Sequence, residues 1–356
     1  MDYEAIKALV RDDLRAVDRE IEARLQSDVA LINRMGSYIV HSGGKRLRPV
    51  VVLLGSRALA YEGQAHIQLA AIIEFIHTAT LLHDDVVDAS EMRRGHTTAN
   101  SIWGNEASVL VGDFLYSRAF EMMVEVDSMR VMEILAHTTN TIAKGEVMQL
   151  LNCHDPETTE ERYIEVIRNK TAKLFQAGAQ LSAVISSQSP EVEAAMAAYG
   201  MHLGTAFQLI DDVLDYGRDN HDLGKNIGDD LAEGKPTLPL IYTLRQGDNR
   251  QRELIRAAIE EGGLAQMEEV MDAIESTGSI TYTARRAEDE AARATAALAA
   301  IPDSPYKQAL LDLAHFSPTA VIRYHQYQRG VAQPGRALAS GARGRRFKSS
   351  HPDQYL

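Results

Sequence analysis

The stretch AAIIEFIHTATLLHDDVVD (70–88) carries apolar residues at i, i+3, i+4 and i+7 until it runs into three aspartates, Asp84, Asp85 and Asp88. That period belongs to a helix with a buried face, and TTNTIAKGEVMQLLN (138–152) shows it again. No long stretch alternates with period two, so the fold class expected is all-α, a large helical bundle. Only 10 prolines punctuate the chain, mostly in loops such as HDPETTEER (154–162), where Asp155 and Thr158 are expected to cap the following helix. No Gly/Ser linker divides residues 1–316, which points to one domain of that extent.

A second cluster, FQLIDDVLDY (207–216), presents Asp211, Asp212 and Asp215. Thr78-Ala79 and Thr205-Ala206 stand at matching distances before the two clusters, which suggests equivalent helices facing one interior space. Asp84 and Asp88 are one helical turn apart, about 6 Å along the axis, as are Asp211 and Asp215. Like charges repel at that spacing. Paired carboxylates ending apolar helices suit a hard divalent cation, magnesium above all, which takes one or two carboxylates together with substrate phosphates. A phosphorylated substrate is therefore expected between the clusters.

Cations should then converge on the remaining phosphate oxygens. HSGGKRLRP (41–49) offers Lys45, Arg46 and Arg48 after two glycines, without the Gly-x4-Gly-Lys-Ser/Thr spacing of a Walker A loop. EMRRGHTT (91–98) adds Arg93 and Arg94, NKTAKLF (169–175) adds Lys170 and Thr171, and GKNIGDDLAEGKPTLP (224–239) adds Lys225 and Lys235.

The totals exclude several classes. With 356 residues, 45% of them hydrophobic, the chain can bury a large core, and a net charge of −13 argues against a general nucleic-acid binder. The single cysteine, Cys153, leaves no intramolecular disulfide and fits a reducing, cytoplasmic compartment. The first residues lack the basic-then-apolar order of a signal peptide, and the apolar run VVVLLG (50–55) falls short of the roughly 20 residues that cross a bilayer. From Ser317 the texture changes: residues 317–356 hold seven Arg or Lys against one Asp and lack helical periodicity. That segment reads as a disordered basic tail, either an anchor for nucleic acid or anionic lipid or, preferably, an appendage without a role.

Taken together, DVALINRMGSYIVHSGGKRLRP, FIHTATLLHDDVVDASEMRRG, VLVGDFLYSRAFEMM and LGTAFQLIDDVLDY resemble the trans-isoprenyl diphosphate synthases, in their bacterial long-chain branch, over about residues 5–316. The resemblance implies the isoprenoid synthase fold around a central cavity, a homodimer, and Mg²⁺ dependence with three ions. Asp84 and Asp88 would bind two of these and Asp211 a third, with Asp85, Asp212 and Asp215 beside them as further catalytic residues. Arg93, Lys170, Thr171, Gln208, Lys225 and Lys235 would hold the allylic diphosphate. Lys45, Arg48, His77 and Arg94 would hold isopentenyl diphosphate.

The reaction implied is condensation of isopentenyl diphosphate with an allylic diphosphate, farnesyl diphosphate being the expected primer, to an all-trans product of octaprenyl length for a quinone side chain. Small residues at Ala79 and Thr80 leave a tunnel open for the tail, with Phe120, Met122 or Met123 as its floor. Membrane contact would be transient, on release of an oily product. A terpene cyclase would replace DDVLD with an Asn/Asp-Ser/Thr-Glu metal motif, and a noncatalytic partner subunit would lack aspartates or the basic loop. One departure is clear: relatives end shortly after the segment matching ALLDLAHF, whereas this chain diverges at Ser317.

Overall fold

The computed structural model describes residues 1–41, 43–93, 95–217, 228–262 and 266–315. Helices dominate: α1 (Tyr3–Leu9), α2 (Arg11–Leu25), α3 (Ala30–His41), α4 (Leu47–Ala58), α5 (Ala65–Val87), α6 (Ala99–Trp103), α7 (Asn105–Glu125), α8 (Met129–Asn152), α9 (Glu160–Ile167), α10 (Lys173–Ile185), α11 (Pro190–Asp215), α12 (Asp229–Ala232), α13 (Leu238–Gln246), α14 (Asn249–Glu261), α15 (Met267–Thr277), α16 (Ser279–Ala297) and α17 (305–315). A small antiparallel ribbon, β1 (Met92–Arg93) with β2 (His96–Thr97), follows α5, and a π turn (Arg168–Ala172) joins α9 to α10.

The long helices surround α4 and α5. The run VVVLLG forms the middle of α4, where Val50 to Leu54 are all 0% exposed, so its unbroken apolarity marks a helix buried on every side. The expectation that apolar runs fall short of bilayer length is true of that segment but overlooks α5. With 23 residues, α5 is long and apolar enough to cross a membrane, yet 61% of its apolar window is buried inside the fold. It is the core helix, packed by α2, α4, α7 and α10.

The main core joins residues from Tyr3 in α1 to Ala314 in α17. Two smaller cores lie among α12 to α15 and between α9, α11, α13 and α16. The helix α11 meets α10 at Gly200, where a Cβ would sit 2.3 Å from the Phe175 carbonyl oxygen, so this pair of backbones closes only on glycine. Side-chain caps start α8 (Ser128), α11 (Ser189, with Pro190 first in the helix) and α14 (Asp248 and Gln251).

At α9 the cap differs from expectation. Thr159 accepts from Arg162 N, while Asp155 bonds Glu157 N within the loop and Thr158 is buried. The helix therefore starts four residues later than a cap at Asp155 would place it and one later than a cap at Thr158 would. Residues 317–356, with the basic segment, lie outside the described residues.

Candidate active site

Both aspartate clusters end long helices. Asp84 is in the last turn of α5 and Asp88 caps it, its N–H donating to the Asp84 carbonyl at 2.8 Å, so one helical face carries both. Asp211, Asp212 and Asp215 close α11. Carboxylates there face the negative end of the helix dipole, which costs about 0.3–1 kcal/mol each at an exposed site. Cations must offset this.

The six side chains separate by burial. Asp84 and Asp88 are each 16% exposed and Asp211 is half-buried. Asp85, Asp212 and Asp215 are buried. Arg93 Nε donates to Asp85 at 2.7 Å, and burial raises the Asp85 pKa despite that partner. Asp212 accepts from the buried Tyr163 hydroxyl and from Gln208 Nε2 at 2.9 Å. Burial, reinforced by Asp230, lifts its pKa well above the carboxylate range. Asp85 and Asp212 therefore anchor their helix ends, and Asp84, Asp88 and Asp211 are the more accessible of the six. The repeated Asp-Asp-Val-x-Asp pattern gives no hint of that division.

Two lysines from outside the clusters reach them. Lys170 Nζ lies 3.3 Å from Asp84 and 2.6 Å from Glu146 of α8. Burial alone would lower its pKa, but Asp84 and Glu146 hold it above the ordinary value. The next residue, Thr171, donates to Gln208 at 3.0 Å, one turn before the second cluster. A single π turn thus touches the α5 carboxylates with one residue and the α11 network with its neighbour. Lys235 Nζ lies 2.9 Å from Asp88 and pairs with Glu233. Its pKa too stays raised, since Asp230, Asp88 and Glu233 outweigh burial. The Lys235 loop is tied down by Lys235 N to Asp230 O at 2.8 Å and His154 N to Gly234 O at 2.8 Å.

A second basic group gathers at the start of α4. Arg48 Nη1 donates to His77 Nε2 at 3.1 Å, its guanidinium 4.5 Å above the Phe175 ring, and Lys45 is exposed. That bond occupies the Nε2 lone pair of His77, which leaves the imidazole poorly placed as a general base. Arg46 is differently engaged, with Glu74 at 2.7 Å and Asp18 at 3.7 Å. Arg94 and Lys225 lie outside the described residues.

The chain-length candidates scatter. Ala79, Met122 and Met123 are fully buried, Phe120 is half-buried beside Tyr116, and Thr80 donates to the His77 carbonyl. A cavity of ≈ 50 Å³ lies between α2, α3 and α5, walled in part by Phe75, Thr78, Leu81 and Leu115. None of the five candidates lines it. Thr78 and Leu81 lie on the α5 face that leads up to Asp85, whereas Thr80 lies about 40° from Asp84 around the helix.

Glu146, Glu233, Asp230 and Tyr163 are also in the site and escaped the sequence reading. Glu146 is visible in KGEVMQLL only as one polar residue on an amphipathic helix. Burial, with Asp84 adding, lifts its pKa from 4.5 to about 7 against the pull of Lys170. A raised carboxyl pKa means that the folded state holds the proton longer than the unfolded chain, so stability falls as pH rises from 4.5 to about 7. E146Q is expected to flatten that part of the stability curve and to match or exceed the parent above pH 7, as thermal melts across the range will show.

The model of the polyprenyl synthetase family matches residues 29–277. The chain belongs to that family. It is 54% identical over 318 residues to octaprenyl diphosphate synthase of Escherichia coli (strain K12), spanning 89% of this chain and 98% of that protein. It is 46% identical to the all-trans-nonaprenyl-diphosphate synthase (geranyl-diphosphate specific) of Rhodobacter capsulatus, over 86% of this chain and 95% of that one. Among solved structures, a polyprenyl synthase from Caulobacter crescentus CB15, complexed with calcium and isoprenyl diphosphate, superposes with a TM-score of 0.86 at 43% identity. The match covers 89% of this chain and 98% of that one. The isoprenoid synthase fold of this family accounts for the long α5 and α11, whose ends the π turn bridges through Lys170 and Thr171.

Proposed function

We propose that this family member condenses isopentenyl diphosphate with an allylic diphosphate, farnesyl diphosphate as primer, into octaprenyl diphosphate for a quinone side chain. The observation that carries the reading is the π turn, which links both carboxylate clusters through Lys170 and Thr171. The ammonium groups on Asp84 and Asp88 stand in for a cation at each. Among the described residues, no three His, Cys, Asp or Glu side chains converge on one point. This donor set suits magnesium shared between carboxylates and substrate phosphates. Asp84, Asp88 and Asp211 would hold it, as three ions, and its contribution is neutralisation of the departing pyrophosphate.

The chain's own groups do the rest. Lys170, Lys235, Thr171, Gln208 and Arg93 bind the allylic diphosphate, with Lys225 added by the family pattern, and they stabilise the charge that grows as the C–O bond breaks. Lys45, Arg48, His77 and Arg94 orient isopentenyl diphosphate so that its double bond meets the allylic cation. The new C–C bond forms, and the proton lost passes to the released pyrophosphate, so no side-chain base is needed. Val147, Leu150 and Leu151 lie on one exposed face of α8 and support the reading of a homodimer. We place the enzyme in the cytoplasm, touching a membrane only to release its product.

The direct test is incubation with farnesyl diphosphate, labelled isopentenyl diphosphate and Mg²⁺. Chromatography should show an all-trans octaprenyl product, and chelation with EDTA should stop its formation. No incorporation into any chain longer than the primer would end the proposal.

A further inference from the structure

The lysine that touches the first carboxylate cluster is held from behind. On α8, a Cβ at Gly145 would sit 2.7 Å from Lys170 N and 3.0 Å from the Asn169 carbonyl carbon, so the helix rests directly on the backbone of the π turn. The next residue, Glu146, then reaches the Lys170 ammonium at 2.6 Å, closer than Asp84 does at 3.3 Å. The rest of the turn is pinned independently, by Arg168 to Glu290 at 3.3 Å and Asn169 Nδ2 to the Met148 sulfur at 3.6 Å.

We infer that Glu146 is a positioning residue that keeps the Lys170 ammonium available to the allylic diphosphate when Asp84 turns to a metal ion. An ammonium has three donors, so it can keep Glu146 while a diphosphate oxygen replaces Asp84. Without Glu146, the same half-buried ammonium keeps only Asp84 as an ion-pair partner among the described residues. It would close on that carboxylate, where it competes with the metal and points away from the substrate. Glu146 touches neither substrate in this scheme and acts wholly through Lys170.

The inference rests on the proposed function, and the test separates the two. E146Q keeps the shape and removes the charge. Loss of one charge-assisted hydrogen bond is worth about ten-fold in binding, so the KM for farnesyl diphosphate should rise about ten-fold, with kcat falling by no more than that because Lys170 also faces the breaking C–O bond, while the KM for isopentenyl diphosphate stays unchanged. Calorimetry with inorganic pyrophosphate, in the absence of metal, should show weaker binding by a similar factor, with no fall in the thermal midpoint. An unchanged or lower KM for farnesyl diphosphate overturns the inference. So does a loss for both substrates accompanied by a lower midpoint, which would make Glu146 merely structural. If the parent protein itself elongates nothing, the functional proposal fails first, whereas the pyrophosphate measurement still reports on the hold over Lys170.

Discussion

Replacing Asp84 or Asp211 by alanine is expected to lower chain elongation by about 10³-fold, the scale seen when one group that stabilises developing charge is removed, while the protein stays folded. The folding part follows from the geometry. Lys170 keeps Glu146 when Asp84 is lost, and a carboxylate disappears from the negative end of a helix dipole, so the thermal midpoint should hold or rise. Asp212 should behave in the opposite way. Its removal strands the hydroxyl of the buried Tyr163, at a cost of about 1–3 kcal/mol for a buried polar group left unsatisfied, and frees the half-buried Gln208 amide. Turnover with farnesyl and isopentenyl diphosphates, measured beside thermal unfolding, distinguishes these outcomes. D84A or D211A with near-normal turnover would remove the metal assignment, and a D212A protein as stable as the parent would remove the anchoring role.

Much of this was legible because helical periodicity is a local property. The end of α5 at Asp88 and of α11 at Asp215 can be read from where apolar spacing meets acid. The partners of Lys170 and Lys235 were not legible. Glu146 is 24 residues from one and Asp88 is 147 from the other, and only the packing of α8 and of the 228–237 segment brings them within 3 Å. The division of labour within each acidic cluster was hidden for a related reason. Asp84 and Asp85 are chemically identical, and what separates them is about 100° of helical phase against neighbours that the local pattern does not name. Phase also separates two faces of α5 below the cluster, since Thr78 and Leu81 line a cavity that Ala79 and Thr80 do not.

That difference of phase sets the expected result at the product end. Thr80 lies four residues before Asp84, about 40° away around α5, so its side chain is almost directly below the carboxylate, towards the buried half of the helix. Ala79 is one residue further and about 140° from Asp84, and it is fully buried in the main core. Thr80→Phe should therefore place a ring under the diphosphate cleft and shorten the dominant product to a few added units, with turnover and thermal midpoint near those of the parent. Ala79→Tyr should shorten the product as well, but it inserts a phenol where no space remains, and overpacking of that kind costs about 1–3 kcal/mol. Product length by chromatography and unfolding temperature by calorimetry read the two effects apart. If Thr80→Phe still makes octaprenyl chains at the normal rate, the tail does not descend along this face of α5, and the cavity beside Thr78 and Leu81 becomes the path to block next.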